Sequence, residues 1–216
     1  MSLLLYGASL SPFVRKVRAC LLEKQLDYTL KLIIPGSQPE WYYQINPLGR
    51  IPALRDGELD ICDSAVICYY LEDKYTDTQM LCGNTPAESA RIGWLQKYAD
   101  YEVAPLATFT IFFNRTLAKS MGLSCDEEAV QKALQSLAKR CDYLEQQLGE
   151  NDYFVGNRFT LADIAVVTQW VNLSYAKEKL DPNKWPKLVA HQARVLARES
   201  MQALLSDEAG LLSKIA

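Results

Sequence analysis

The chain holds one histidine, His191, in 216 residues, and none of its six cysteines (Cys20, Cys62, Cys68, Cys82, Cys125, Cys141) forms a CxxC pair. A lone imidazole excludes a His-rich metal centre and makes any Ser/His/Asp triad depend on a single residue. His191 reads as a surface or boundary residue of the last helices. Six scattered cysteines are no disulfide framework; they read as reduced, buried thiols of a cytoplasmic protein. A dominant charge of one sign is also missing, since 23 basic and 26 acidic residues leave a net charge of −3. There is no Lys/Arg run, so a basic stripe for nucleic acid is excluded. No uncharged apolar run reaches the roughly 18 residues of a membrane span. The opening MSLLLYGASLSP has neither a basic n-region nor a long apolar h-region, so it does not read as a signal peptide. Repeats and low-complexity tracts are absent as well.

What is present is an ordinary globular composition, 49% hydrophobic and 23% charged. It can fill a core without staples. The first part alternates strand and helix signals. Leu3–Tyr6 reads as a strand. Ser11–Leu26 reads as a helix with Ser11 at N-cap and Pro12 at N1. Tyr28–Ile34 is a second strand, and Pro35–Gln44 a loop with at most one helical turn. Ile51–Arg55 and Glu58–Cys62 flank Asp56-Gly57, a two-residue hairpin signal. Ala65–Tyr75 follows as a helix with Val66, Ile67, Tyr70 and Leu71 facing inward.

From Thr76 the pattern changes. Residues 77–86 read as a linker, and the rest has helical period. Thr85-Pro86-Ala87-Glu88, Ser124-Cys125-Asp126-Glu127 and Thr160-Leu161-Ala162-Asp163 read as capping boxes. The helix after the first of these is expected to bend at Pro105. Val130, Ala133, Leu137, Cys141, Leu144 and Leu148 form one face of the helix after the second, and Gly149 stops it. Asp181-Pro182 is expected to open a further helical stretch. The sequence therefore predicts an α/β domain over 1–76 and an all-α helical domain over 87–216.

Four features carry candidate chemistry. Ser11 sits where a strand gives way to a helix, whose unpaired N–H groups favour an anion; it is equally explained as a plain N-cap. Pro52 in Asn46-Pro47-Leu48-Gly49-Arg50-Ile51-Pro52-Ala53 is out of place in a strand unless at its start or in a special bond. A cis Ile51-Pro52 peptide would present the Ile51 N–H and C=O to an extended peptide. Asp63-Ser64 stands at a helix start, where a carboxylate can be received by Ser64 and an ammonium paired by Asp63. Capping explains one of those two equally well. The aromatic residues Trp94, Tyr98, Tyr101, Phe109, Phe112 and Phe113 are either core or an apolar pocket facing the small domain.

Ser-Pro-Phe-x-x-Lys-Val, then Asn-Pro-x-Gly-x-Ile-Pro-x-Leu, then Asp-Ser-x-x-Ile-x-x-Tyr-Leu, together with Phe159-Thr160-Leu161-Ala162-Asp163, resemble the cytosolic glutathione S-transferases over essentially the whole chain. The resemblance implies a thioredoxin-like N-terminal domain with Pro52 as its cis proline, an all-α C-terminal domain, and a homodimer. It implies glutathione as co-substrate, with no metal, and a small hydrophobic electrophile as second substrate. Ile51 then matches the backbone clamp on the cysteinyl part, and Asp63 and Ser64 the γ-glutamyl pair. Gln38 matches a residue near the glycine carboxylate. Serine-type classes, such as tau and zeta, keep a serine five residues before the basic residue of a basic-Val pair, which lands on Ser11 before Lys16-Val17. Ser9 is a second hydroxyl nearby. Tyr6 ends the first strand, where tyrosine-type classes carry theirs. No cysteine lies there, which speaks against disulfide reduction. The resemblance implies attack of a glutathione thiolate on the electrophile. Peroxide reduction or isomerisation would use the same thiol, and a non-catalytic binding or assembly module would keep only the fold.

Overall fold

A computed structural model describes residues 3–215, in two compact units that divide between residues 82 and 83. The first is α/β. Strand β1 (Leu3–Gly7) lies inside a sheet of order β2-β1-β3-β4. It runs parallel to β2 (Tyr28–Leu32) and antiparallel to β3 (Ala53–Asp56), which pairs antiparallel with β4 (Leu59–Cys62). Parallel neighbours need a crossover, and α1 (Pro12–Glu23) supplies it; α2 (Ser64–Lys74) follows β4.

Side chains alternate across β1. A Cβ on Gly7 would lie 2.4 Å from Val14 Cγ2. The face of Leu3, Leu5 and Gly7 is therefore the one α1 covers. Tyr6 points the other way, into a cluster with Ile33, Tyr42, Ile45 and Ala53.

The β3–β4 hairpin differs from expectation by one residue. Asp56 pairs with Leu59, so the turn residues are Gly57 and Glu58, and of Asp56, Gly57 and Glu58 only Gly57 takes positive φ (62°). A turn with glycine first needs one left-handed residue, not two. Asp56 is left in the ladder, and its Oδ2 accepts from Tyr70 OH at 2.9 Å and Lys74 Nζ at 2.5 Å. On α2 the inward set is Ser64, Ala65, Ile67, Cys68 and Leu71, while Val66, expected inward, is exposed and Tyr70 only half-buried: the buried stripe follows the i, i+3, i+4, i+7 spacing of Ser64, Ile67, Cys68 and Leu71. Residues 79–82 are fastened to this unit. Lys24 Nζ bonds Glu72 Oε1 at 2.9 Å and the Gln79 carbonyl at 3.1 Å, and Glu72 Oε2 accepts from the Leu81 and Cys82 N–H groups.

The second unit is all-helical. Helix α3 (Pro86–Tyr98) continues without break to residue 120 through wide π-type turns at Ala99–Val103 and Ala107–Leu117. These bracket Pro105, where a bend was expected. Proline cannot donate to the ladder, and Thr110 Oγ1 donates to the Pro105 carbonyl at 2.8 Å. Then come α4 (Glu127–Leu148), α5 (Leu161–Tyr175), α6 (Pro186–Leu196) and α7 (Glu199–Ile215). Helix α4 buries the expected face. Helix α5 is buried from Leu161 to Leu173 and forms the centre of the unit. The cap of α4 is Asp126, not the expected Ser124: its carboxylate accepts from Ala129 N–H. Residues 181–185 form a turn closed by Trp185 N–H on the Asp181 carbonyl, so no helix starts before Pro186.

His191 departs most from expectation. It is fully buried on α6, its Nε2 2.8 Å from Asp163 Oδ1. The same oxygen accepts from Phe154 N–H at 3.0 Å, and Oδ2 accepts from Thr160 N–H at 2.8 Å and Thr160 Oγ1 at 2.9 Å. One carboxylate thus completes the α5 capping box and fixes α6. The cysteines also differ from a uniformly buried set: Cys20, Cys68 and Cys141 are buried, Cys62 and Cys82 half-buried, and Cys125 exposed.

Replacing Asp163 by alanine strands several buried donors at about 1–3 kcal/mol each. Asp163→Ala is therefore expected to lower unfolding free energy by about 3 kcal/mol or more in equilibrium urea denaturation. For Asp56, the Lys74 ammonium foremost, helped by the Tyr70 hydroxyl and opposed by burial, holds the carboxyl below its ordinary value. A carboxyl lowered on folding stabilises above its unfolded pKa of about 4, and that stabilisation fades as pH falls through the folded value. Asp56→Asn is expected to flatten the loss of stability below about pH 4, measured by urea melts across pH.

Candidate functional site

Strand register decides which loops meet. Tyr6 pairs with Ala53, and Ala53 with Cys62. The C-terminal end of β1, the start of β3 and the C-terminal end of β4 therefore lie in one row. Ser11 follows β1 by four residues, Ile51-Pro52 immediately precedes β3, and Asp63-Ser64 immediately follows β4. All three leave the sheet at the same end. Adjacent strands are about 4.8 Å apart, so the row spans about 10 Å. That suits an extended tripeptide, at about 3.3–3.6 Å per residue.

Ser11 is the N-cap of α1. Its Oγ accepts from Val14 N–H at 3.4 Å, a long bond, and its own N–H donates to the Ala8 carbonyl. An accepting hydroxyl still has its hydrogen to give. Ser9 is buried. The Tyr6 ring lies on the sheet face away from α1, with its centroid 5.9 Å from those of both Trp41 and Tyr42. The register therefore brings Ser11 and the helix start together at the sheet end and separates the Tyr6 ring from them.

The Ile51-Pro52 peptide is cis, and Ile51 lies beyond the last ladder pair. The segment before it is pinned by its own loop. Asn46 Oδ1 accepts from Leu48 N–H at 3.1 Å, its carbonyl accepts from Gly49 N–H at 2.9 Å, and its Nδ2 donates to the Arg50 carbonyl at 2.8 Å. Tyr42 OH donates to that same carbonyl at 2.7 Å, and Gln38 Nε2 donates to the Gly49 carbonyl at 2.5 Å. Gly49 takes φ +63°, where a side chain would be strained. This explains the Asn-Pro-x-Gly spacing: asparagine closes the turn and glycine permits it. Tyr42 was hidden from sequence reading because it belongs to a short 3₁₀ turn, Glu40–Gln44, inside an apparent loop.

Asp63 caps α2 with Oδ1, which accepts from Ala65 N–H at 2.9 Å and Val66 N–H at 3.2 Å. Its φ of 75° is left-handed for a non-glycine residue, a conformation costing about 1–3 kcal/mol that the surroundings must hold. Ser64, the first helical residue, is buried. Two helix N-termini thus border the row, each with partial positive charge. Among the described residues no group of three His, Cys, Asp or Glu side chains is placed to hold a metal, and no helix is long and apolar enough to cross a membrane.

In the helical unit the aromatic residues divide. Phe112 is core, whereas Trp94, Tyr101 and Phe109 are each more than half exposed. Trp94 Nε1 donates to Tyr143 OH at 2.7 Å, and Tyr98 stacks on Tyr143 at 4.5 Å.

Comparison with known proteins agrees with this architecture. The family model described as glutathione S-transferase, N-terminal domain, matches residues 5–79, and that for the C-terminal domain matches residues 98–199. A glutathione S-transferase of Hyoscyamus muticus is 30% identical over 202 residues, covering 92% of this chain and 95% of its own. Glutathione S-transferase 3 of Zea mays is 34% identical over 168 residues, covering 74% and 72%. Among solved structures, a glutathione S-transferase from Rhodospirillum rubrum superposes with a TM-score of 0.85 at 26% identity, covering 94% of this chain and 91% of its own. With a thioredoxin-like α/β unit, a helical unit, and relatives spanning nearly its full length, the chain belongs to the glutathione S-transferase family.

Proposed function

We propose that this protein is a glutathione transferase that binds glutathione along the row formed by Ser11, Ile51-Pro52 and Asp63-Ser64. The convergence of these three segments at one sheet end carries the reading. Asp63 and Ser64 receive the γ-glutamyl head, Ile51 pairs its main chain with the cysteinyl part, and Gln38, held against Gly49, lies toward the glycine end. Ser11 donates to the sulfur. Ser9 is a neighbouring hydroxyl, and the orientation of Tyr6 favours Ser11 over it.

A thiol of pKa about 8.5 is only about 3% ionised at neutral pH. Lowering it by about two units makes most of it thiolate and requires about 2.7 kcal/mol of differential stabilisation. One hydrogen bond to a charged sulfur supplies about 1.5–3 kcal/mol. The α1 N-terminus adds about 0.3–1 kcal/mol. Together these suffice without a histidine base. The thiolate then attacks a hydrophobic electrophile and displaces a leaving group or adds across an activated double bond. The gain in thiolate is about 25-fold, so positioning of the electrophile supplies the remainder.

Glutathione is on this reading a co-substrate and not a resident cofactor. The homodimer belongs to the same proposal, and it is supported by the exposed apolar side chains Leu59 and Val66 on one unit and Trp94 and Tyr101 on the other. Free cysteines fit a reducing, cytoplasmic setting.

The test follows the ultraviolet absorbance of bound glutathione thiolate against pH. Wild type is expected to ionise it about two units below free glutathione. Ser11→Ala is expected to return it toward the free value and to lower kcat/KM about 10- to 100-fold at neutral pH. Full activity in that variant removes Ser11 from the role.

A further inference from the structure

The loop before the cis proline contains a device that the proposed reading leaves unexplained. The Arg50 carbonyl accepts two side-chain hydrogen bonds, from Tyr42 OH at 2.7 Å and from Asn46 Nδ2 at 2.8 Å. A carbonyl oxygen has two lone pairs, so both are occupied. Both donors are buried, Tyr42 completely. Burial foremost raises the Tyr42 phenol pKa, so the group remains a donor. Its ring is fixed by Tyr6 and by Trp41, with centroids 5.9 and 6.0 Å away. Asn46 is fixed by the Leu48 N–H on its Oδ1.

The Arg50 carbonyl shares one peptide plane with the Ile51 N–H. That bond is trans, the cis bond being the next one. In a planar trans peptide the C=O and N–H point in opposite directions. Two donors holding the carbonyl toward Tyr42 and Asn46 therefore aim the Ile51 N–H to the opposite side. A single donor would let the plane rock about its contact; two donors from different parts of the loop fix its orientation. We infer that Tyr42 and Asn46 are positioning residues for the ligand: by clamping the Arg50 carbonyl they aim the Ile51 main chain at the peptide backbone it recognises. Tyr6 then serves the site from beneath, as the platform of the Tyr42 ring. The inference rests on the reading of Ile51 as the glutathione clamp.

Two substitutions isolate the device. Tyr42→Phe removes only the hydroxyl and keeps the ring. Asn46→Asp keeps the acceptor for Leu48 N–H and removes the donor to Arg50. Glutathione binding is measured by calorimetry, and turnover with an aryl halide electrophile gives separate KM values. The single variant Tyr42→Phe is expected to weaken glutathione binding about three- to tenfold, and the double variant by more than about tenfold. The KM for the aryl halide, and kcat at saturating glutathione, should stay within about twofold of wild type. A merely structural role would instead lower the folded fraction and reduce kcat with both KM values unchanged, which overturns the inference. So does wild-type affinity in both variants. Should the double variant not fold, Tyr42→Phe alone decides between these results. Absence of glutathione binding by the wild type overturns the underlying reading, and this inference with it.

Discussion

The row of backbone pairs from Tyr6 through Ala53 to Cys62 is the constraint on which the candidate site depends. It links the first strand to a hairpin some fifty residues later and brings one helix start, one cis-proline turn and a second helix start to the same end of the sheet. A slip of one residue in either pairing would turn every side chain on the slipped strand to the other face. The buried alternation resists such a slip: Leu3 and Leu5 lie under α1, and Tyr6 and Ala53 lie in the opposite cluster. The site is therefore a product of core packing. Its residues need not be strong binders one by one, because the register has already placed them.

Much of this was legible because it is local. A serine before a proline, a box of threonine and aspartate, or an asparagine-proline-x-glycine turn each follow from a few adjacent residues. Ser11 as cap, the α5 box at Thr160 and Asp163, and the inward face of α4 all follow from spacing alone. The features that differ from local expectation are those that depend on distant partners. Val66 is apolar yet exposed, because the buried stripe of α2 runs through Ser64, Ile67, Cys68 and Leu71 and its phase is set by what the helix packs against. The hairpin turn falls at Gly57-Glu58 rather than Asp56-Gly57, and the Asp56 carboxylate meets Tyr70 and Lys74 on a later helix. Nothing near Asp56 in sequence advertises those partners. Tyr42, inside a loop, gave no periodic signal at all.

The long helix over 86–120 shows a second limit of local reading. Proline at 105 suggests a local disturbance, and the chain widens its turns on both sides of it. Wide turns move the backbone partner of each carbonyl one residue further on, and the Thr110 hydroxyl adds a bond to the Pro105 carbonyl. Such turns also change which residues share a face. This is why the aromatic residues of this stretch do not fall into one core stripe: Phe112 is inside, and Phe109, three residues earlier, is outside. A strict 3.6-residue period cannot be projected through such a segment.

Asp163 ties capping, loop and helix together through one carboxylate, and His191 is its outer partner. Because His191 is the chain's only imidazole and is fully enclosed, its ring protons would give the sole histidine signals in a magnetic resonance spectrum. Those signals would report on the interior of the helical unit and on nothing else. Histidine-directed acylation of this ring would likewise wait on that interior, so its progress follows the opening of the α5–α6 junction.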